Sequence, residues 1–314
     1  MLETFSATLT PMLMLFACMV IGFMLNKFKI LPRNAATVLS KLENFVLVPA
    51  LIIKTFMNYC RVESLINQYK IILYSLAALI LALLISIPLS KVFENKDYYK
   101  RNIYKYALSF GNFSFMGAAI VPEILGQEML YHYMLYILPL NIAVYTWGLM
   151  ILIPQDEREH HPLRRLINPI FIAIIVGAVF GLFNVQKFIP GFVSDTVNGL
   201  ASCMGPLAMV LTGFVVGGYK ISSLLKNKKV YVASLLRLFI IPAILIVVLY
   251  FIKADKTTMV MTLFAYATPL GLNTVVFPAA YGGDTSIGAS MAMISHTLSV
   301  ITIPLMYSLL IFII

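Results

Sequence analysis

Runs of roughly 20 apolar residues recur from one end of this chain to the other, each long enough to cross a hydrocarbon core about 30 Å thick. Lipid offers no partner to a backbone N–H or C=O, so each run must pair its own backbone groups, and the chain reads as an all-α membrane protein. A hydrophobic fraction of 61% against 11% charged residues excludes an ordinary soluble domain. No soluble unit of useful size is left between the runs. Glu3 sits where a secretory signal carries positive charge, and no small-residue cleavage site follows, so the first run is expected to remain as a span. Cys18, Cys60 and Cys203 are scattered without disulfide or metal spacing and read as packing residues.

Charged punctuation divides the chain into ten spans, at roughly 5–25, 36–57, 69–92, 103–125, 130–153, 168–185, 197–219, 229–252, 257–281 and 286–313. Alternate loops differ in charge. One set carries Lys27, Lys29, Arg33 and Lys41, then Lys91, Lys96, Lys100, Arg101 and Lys105. The same set continues with Arg158, Arg164 and Arg165, then Lys220, Lys226, Lys228 and Lys229. The opposite set has only Lys54, Arg61, Lys70, Lys187, Lys253 and Lys256. The positive-inside rule puts the basic loops in the cytoplasm and both termini outside, in the plasma (inner) membrane. The formal charge of +10 is thus topology information and not a nucleic-acid footprint. The polar segment 154–167 reads as a cytoplasmic linker between a first unit, 1–153, and a second, 168–314. Its His160 and His161 lack a spacing that fixes metal geometry.

Two spans are interrupted. The fourth contains Ser109-Phe110-Gly111-Asn112-Phe113-Ser114-Phe115-Met116-Gly117, with Pro122 beyond. The ninth contains Ala267-Thr268-Pro269-Leu270-Gly271-Leu272-Asn273-Thr274, with Pro278 beyond. An offset of about 157 residues aligns Pro49 with Pro206 and Asn112 with Pro269, and brings Pro122 within one residue of Pro278. Five spans per half is an odd number, so the repeats are inverted and spans four and nine cross from opposite sides. Each break exposes half-helix ends carrying about +0.5 and −0.5 charge, whose amides suit a carboxylate and whose carbonyls suit a cation. Candidate substrate-binding residues are Gly111, Asn112, Ser114, Thr268, Pro269, Gly271, Asn273 and Thr274, joined by Asn44 beside Pro49.

His296, near mid-depth of span ten, suits either a proton relay or a neutral ring bonded to a neighbouring hydroxyl. Arg237 is expected to snorkel to the interface, the alternative being neutralisation of an anionic substrate. Glu43 is expected to reach the cytoplasmic interface, and Glu123 and Asp284 to be solvated near span ends. No intramembrane Asp or Glu stands out as a coupling carboxylate, and no nucleophile–base or metal constellation points to an enzyme.

Six segments together resemble the auxin efflux carrier family in its short bacterial form. They are Gly22-Phe23-Met24-Leu25 with Ile30-Leu31-Pro32, Leu42-Glu43-Asn44 through Pro49-Ala50-Leu51, and Gly111 to Gly117. Asn168-Pro169-Ile170, Gly205-Pro206-Leu207-Ala208, and Thr268 to Asn273 running on to Asp284 complete the set. The resemblance implies ten helices in two inverted repeats, as in the bile acid–sodium symporter group. It also implies a scaffold of helices 1, 2, 6 and 7, a transport core of helices 3–5 and 8–10 moving as an elevator, and a homodimer through the scaffold. Carboxylates such as malate, malonate or an auxin-like acid would be the substrates. Neither cofactor nor bound metal is implied; a coupling ion would be a proton or sodium. Ala119 stands where the family often has a proline, which predicts a fourth-helix break softened or shifted toward Pro122. The third-helix acidic residue of some plant members has no counterpart near Tyr74 and Ser75, and His296 replaces a small or apolar residue. A ten-span metabolite or drug exporter of another family, or a membrane ligand sensor that transports nothing, are the competing readings.

Overall fold

A computed structural model describes residues 1–32, 34–153, 168–280 and 283–314. The central linker 154–167, with His160 and His161, lies outside the described residues, as do Arg33, Tyr281 and Gly282. Every named element among the described residues is a helix. Leaving aside the short turns Val185–Lys187 and Ile221–Leu224, in chain order these are α1 (Leu2–Lys27), α2 (Ala35–Tyr59), α3 (Val62–Phe93), α4 (Tyr98–Ser109), α5 (Phe113–Leu125) and α6 (Gln127–Leu152). There follow α7 (Pro169–Leu182), α8 (Gly191–Gly217), α9 (Lys228–Phe251), α10 (Lys256–Tyr266), α11 (Asn273–Ala280) and α12 (Ser286–Ile313). Among the described residues, 7 helices are long and apolar enough to cross a membrane: α1, α2, most of α3, α6, α8, α9 and α12. The apolar helices α5 and α7 are shorter. Large side chains such as Leu84, Ile175 and Val247 stand exposed in mid-helix, where a soluble protein would place polar groups.

Small residues set the packing. A Cβ on Gly22 of α1 would lie 2.0 Å from the Val210 carbonyl oxygen of α8, and one on Gly213 of α8 would lie 1.8 Å from that of Met19. Without a hydrophobic drive between helices in lipid, such backbone-to-backbone contact is how membrane helices gain dispersion energy. The same device joins α7 to α2, where a Cβ on Gly181 would meet the Phe56 carbonyl oxygen at 2.4 Å. Helices α1, α2, α7 and α8 therefore pack as one group. Of the three cysteines, Cys60 is buried and Cys18 half-buried, whereas Cys203 is exposed.

The two interrupted spans begin alike. Asp97 caps α4 by accepting from the Lys100 backbone N–H at 3.0 Å. Asp255 caps α10 by accepting from Thr258 N–H at 2.9 Å. Both satisfy a first-turn amide that has no partner inside the helix. The Lys100 N–H, with smaller help from the Lys100 side chain, holds the Asp97 carboxyl below the usual carboxylate range.

Wide π turns interrupt α2 at Glu43–Leu47, α6 at Val144–Gly148 and α9 at Leu236–Ile240, and one opens α5 at Phe113–Gly117. A π turn inserts one residue into the i→i−4 ladder and re-aims the side chains it carries. Two expectations are corrected at such turns. Glu43 does not reach the interface: it is fully buried, and neither carboxylate oxygen has a partner among the described residues. Arg237 does not snorkel: it too is fully buried. A third correction concerns Pro122, which lies inside a helical segment while the break falls upstream at Phe110–Asn112. The break sits there because its backbone finds a partner there.

Candidate functional site

That partner is the other break. Phe110 leaves α4 in an extended conformation, with φ −126 and ψ 120. Gly111 forms an isolated antiparallel bridge with Leu270. The Asn112 N–H donates to the Pro269 carbonyl at 2.7 Å, and the Leu270 N–H donates to Ser295 Oγ of α12 at 2.9 Å. Backbone groups freed by the interruptions are thus paired, the Asn112 N–H across the gap and the Leu270 N–H on α12, as burial demands.

Behind the bridge lie the ends of α4 and α10. Arg237 Nη1 donates to the carbonyls of Leu108 (3.2 Å) and Ser109 (3.3 Å), and Nη2 to that of Ala265 (3.2 Å). The guanidinium also lies over the Tyr266 ring, 5.0 Å from its centroid. Gly111 makes this approach possible, because a Cβ there would sit 2.7 Å from Nη2. Tyr133 of α6 adds a further tie: its hydroxyl donates to the Phe113 carbonyl at 2.9 Å and lies 3.3 Å from that of Phe264.

In front of the bridge is a cavity of about 330 Å³, lined from α2, α5, α6, α7, α8 and α11 as well as by both breaks. The residues opening each second half-helix, Phe113 and Ser114 in α5 and Asn273 in α11, lie on its wall. Six of the residues singled out from sequence line it: Asn44, Gly111, Asn112, Ser114, Gly271 and Asn273. Their polar groups are held in place. Asn273 Nδ2 donates to the Tyr106 hydroxyl at 2.8 Å, Ser114 Oγ to Asn141 Oδ1 at 2.9 Å, and Asn44 Nδ2 to the Ser40 carbonyl at 2.8 Å.

The remaining candidates stand behind this wall. Thr268 Oγ1 donates to the Ala265 carbonyl at 3.0 Å, and Thr274 Oγ1 to that of Gly271 at 2.9 Å. Pro269 contributes the carbonyl that Asn112 uses. His296 is buried and faces two partners, the Ala292 carbonyl at 2.7 Å from Nδ1 and Asn112 Nδ2 at 3.1 Å from Nε2. A carbonyl only accepts, so Nδ1 carries the proton; in the neutral ring Nε2 then accepts from the amide. His296 therefore orients Asn112 and is bonded to an amide, not to a neighbouring hydroxyl.

Sequence reasoning passed over Lys41, Asn141 and Tyr145, which also line the cavity. Asn141 was open to discovery as an amide inside an apolar span just after Pro139. Lys41 was counted only as a topology charge. Among the described residues, no three His, Cys, Asp or Glu side chains form a metal-binding group.

Compared with known families, the chain matches the family described as Membrane transport protein over residues 7–307. No curated protein matches the chain.

Proposed function

The chain belongs to the membrane transport protein family of the auxin efflux carriers, and from that premise we propose that it is a secondary carrier for a small organic anion. A carboxylate such as malate, malonate or an auxin-like acid fits this reading. The observation that carries it is the placement of both second half-helix starts on one 330 Å³ cavity. A half-helix start carries partial positive charge, which favours an anion, although in α11 the Thr274 and Val275 N–H groups already donate to the Gly271 and Leu272 carbonyls. An Asn side-chain nitrogen has two N–H donors. Asn112 and Asn273 each commit Nδ2 to one protein partner, His296 and Tyr106, and retain a second N–H. Lys41 on the same wall adds a mobile positive charge.

In this reading the ten sequence spans form two inverted repeats, with α4–α5 and α10–α11 as the crossed broken helices four and nine. The group α1, α2, α7 and α8 is the scaffold and the homodimer surface, and the remaining helices move past it as an elevator. The cavity lies on that boundary, with Asn44 from the scaffold side and Asn112 and Asn273 from the core. In the same reading the protein sits in the plasma (inner) membrane with both termini outside, an orientation that the excess of basic residues in alternate loops supports. The test is proteoliposome uptake of a carboxylate panel by wild type, Asn112→Ala and Asn273→Ala. Each variant is expected to lose at least tenfold in uptake at normal expression, since a lost hydrogen bond to a charged group is worth about 1.5–3 kcal/mol. Unchanged uptake in both variants defeats the site, and failure of every carboxylate with folded protein defeats the substrate class.

A further inference from the structure

The carbonyls of Leu108, Ser109 and Ala265 come from the final turns of α4 and α10, so two helix C-termini aim at one point. Each end carries about −0.5 charge. In carriers built on broken helices, such ends and unwound carbonyls are where a coupling cation is coordinated. Here the point is filled by a side chain. We propose that Arg237 is a resident counter-cation: its guanidinium occupies the position at which these carbonyls would otherwise gather a monovalent metal ion.

Four observations support the assignment. The bonds from Arg237 reach both broken spans, not one. The residue is fully buried, and among the described residues no carboxylate is one of its hydrogen-bond partners, so carbonyl dipoles stand in for the counter-ion that a buried charge requires. The ring of Tyr266 covers the guanidinium face, as a cation–π contact does. Gly111, which lacks the Cβ that would meet Nη2, brings the charge to within one backbone thickness of the cavity wall.

A tethered cation differs from a bound metal in one respect: it cannot leave between transport strokes. The crossover keeps its positive charge throughout, so an anion entering the cavity meets a charge already in place. Sodium at this position is then neither needed nor accommodated. The consequence for coupling rests on the carrier reading above; the assignment of the charge does not.

The experiment is thermal melting of the purified full-length protein in detergent, with sodium chloride exchanged for choline chloride at constant ionic strength. Wild type and Arg237→Lys, which keeps a cation with three N–H donors, are expected to melt alike in both salts. Arg237→Ala is expected to melt lower in choline and to recover in sodium, because its vacated carbonyls admit the metal. Arg237→Gln serves as the neutral variant if the alanine protein does not fold. A sodium-dependent rise in wild-type melting overturns the proposal, as does a folded neutral variant that is indifferent to sodium. A purely structural arginine would give no cation-specific rescue. If no carboxylate is transported while this melting pattern holds, the substrate class falls and the counter-cation stands.

Discussion

Replacing Gly111 by alanine tests the crossover most directly. The added Cβ would lie 2.7 Å from Arg237 Nη2, 2.7 Å from Thr268 Oγ1 and 2.9 Å from the Thr268 carbonyl oxygen, closer than Cβ atoms are tolerated. Neither neighbour is free to retreat. Arg237 is held by three carbonyls, and Thr268 is bonded to the Ala265 carbonyl. Forcing a methyl group into a packed interior costs about 1–3 kcal/mol. Displacing the guanidinium weakens at least one charge-assisted bond worth about 1.5–3 kcal/mol. Taking about 1.5 kcal/mol from each gives a destabilisation of about 3 kcal/mol, or roughly a hundredfold in the folding equilibrium. The measurement is thermal melting in detergent with uptake in proteoliposomes. Gly199 in α8 is the control, because a Cβ there meets nothing within 4 Å; alanine at that helix-interior position should stabilise by about 0.5–1 kcal/mol. A Gly111→Ala protein that melts and transports like wild type would refute the claim that this close approach holds the crossover together.

Glu43 and Asp97 extend the tests to the rest of the fold. Glu43→Gln is expected to melt at or above wild type, since both carboxylate oxygens are buried without partners among the described residues and an unmade bond costs rather than contributes. A clear fall in melting temperature would reveal a partner for Glu43. Asp97→Asn keeps a capping oxygen but removes the charge. Because the folded-state pKa of Asp97 is depressed, the charge contributes stability above the unfolded pKa and loses it as pH falls through the folded one. The wild type should therefore exceed Asp97→Asn in melting temperature at neutral pH, by a small margin at this exposed site, and the gap should close in acid. A gap that persists in acid would contradict the sign.

Much of the helix plan was legible because lipid imposes a simple rule: long apolar runs with paired backbones and charges gathered at their ends. The breaks were legible for the converse reason, since Gly111, Asn112 and Pro269 disturb helices that otherwise have no cause to stop. What escaped were the properties that depend on rotation about a helix axis. Glu43 and Arg237 both ride on π turns and are both buried, and a π turn re-aims the side chains it carries. Thr268 and Thr274 lie within a few residues of the cavity-lining Gly271 and Asn273, yet their hydroxyls turn back to carbonyls of their own chain segment. Sequence spacing fixes depth along the helix better than it fixes direction. The pairing of His296 with Asn112 joins residues far apart in sequence, and no local pattern announces it.

The short antiparallel bridge between Gly111 and Leu270 has a mechanical meaning as well as a chemical one. Through it, the Asn112–Pro269 bond and the Arg237 bonds, the interrupted spans are riveted at their midpoints. Neither span can swing open by itself without tearing several bonds at once. In the carrier reading proposed above, a motion that exposes the cavity to first one side and then the other would carry both breaks together, like the hub of a wheel. On that reading the bending is taken up farther out, and cross-linking the hub to itself should leave transport unhindered.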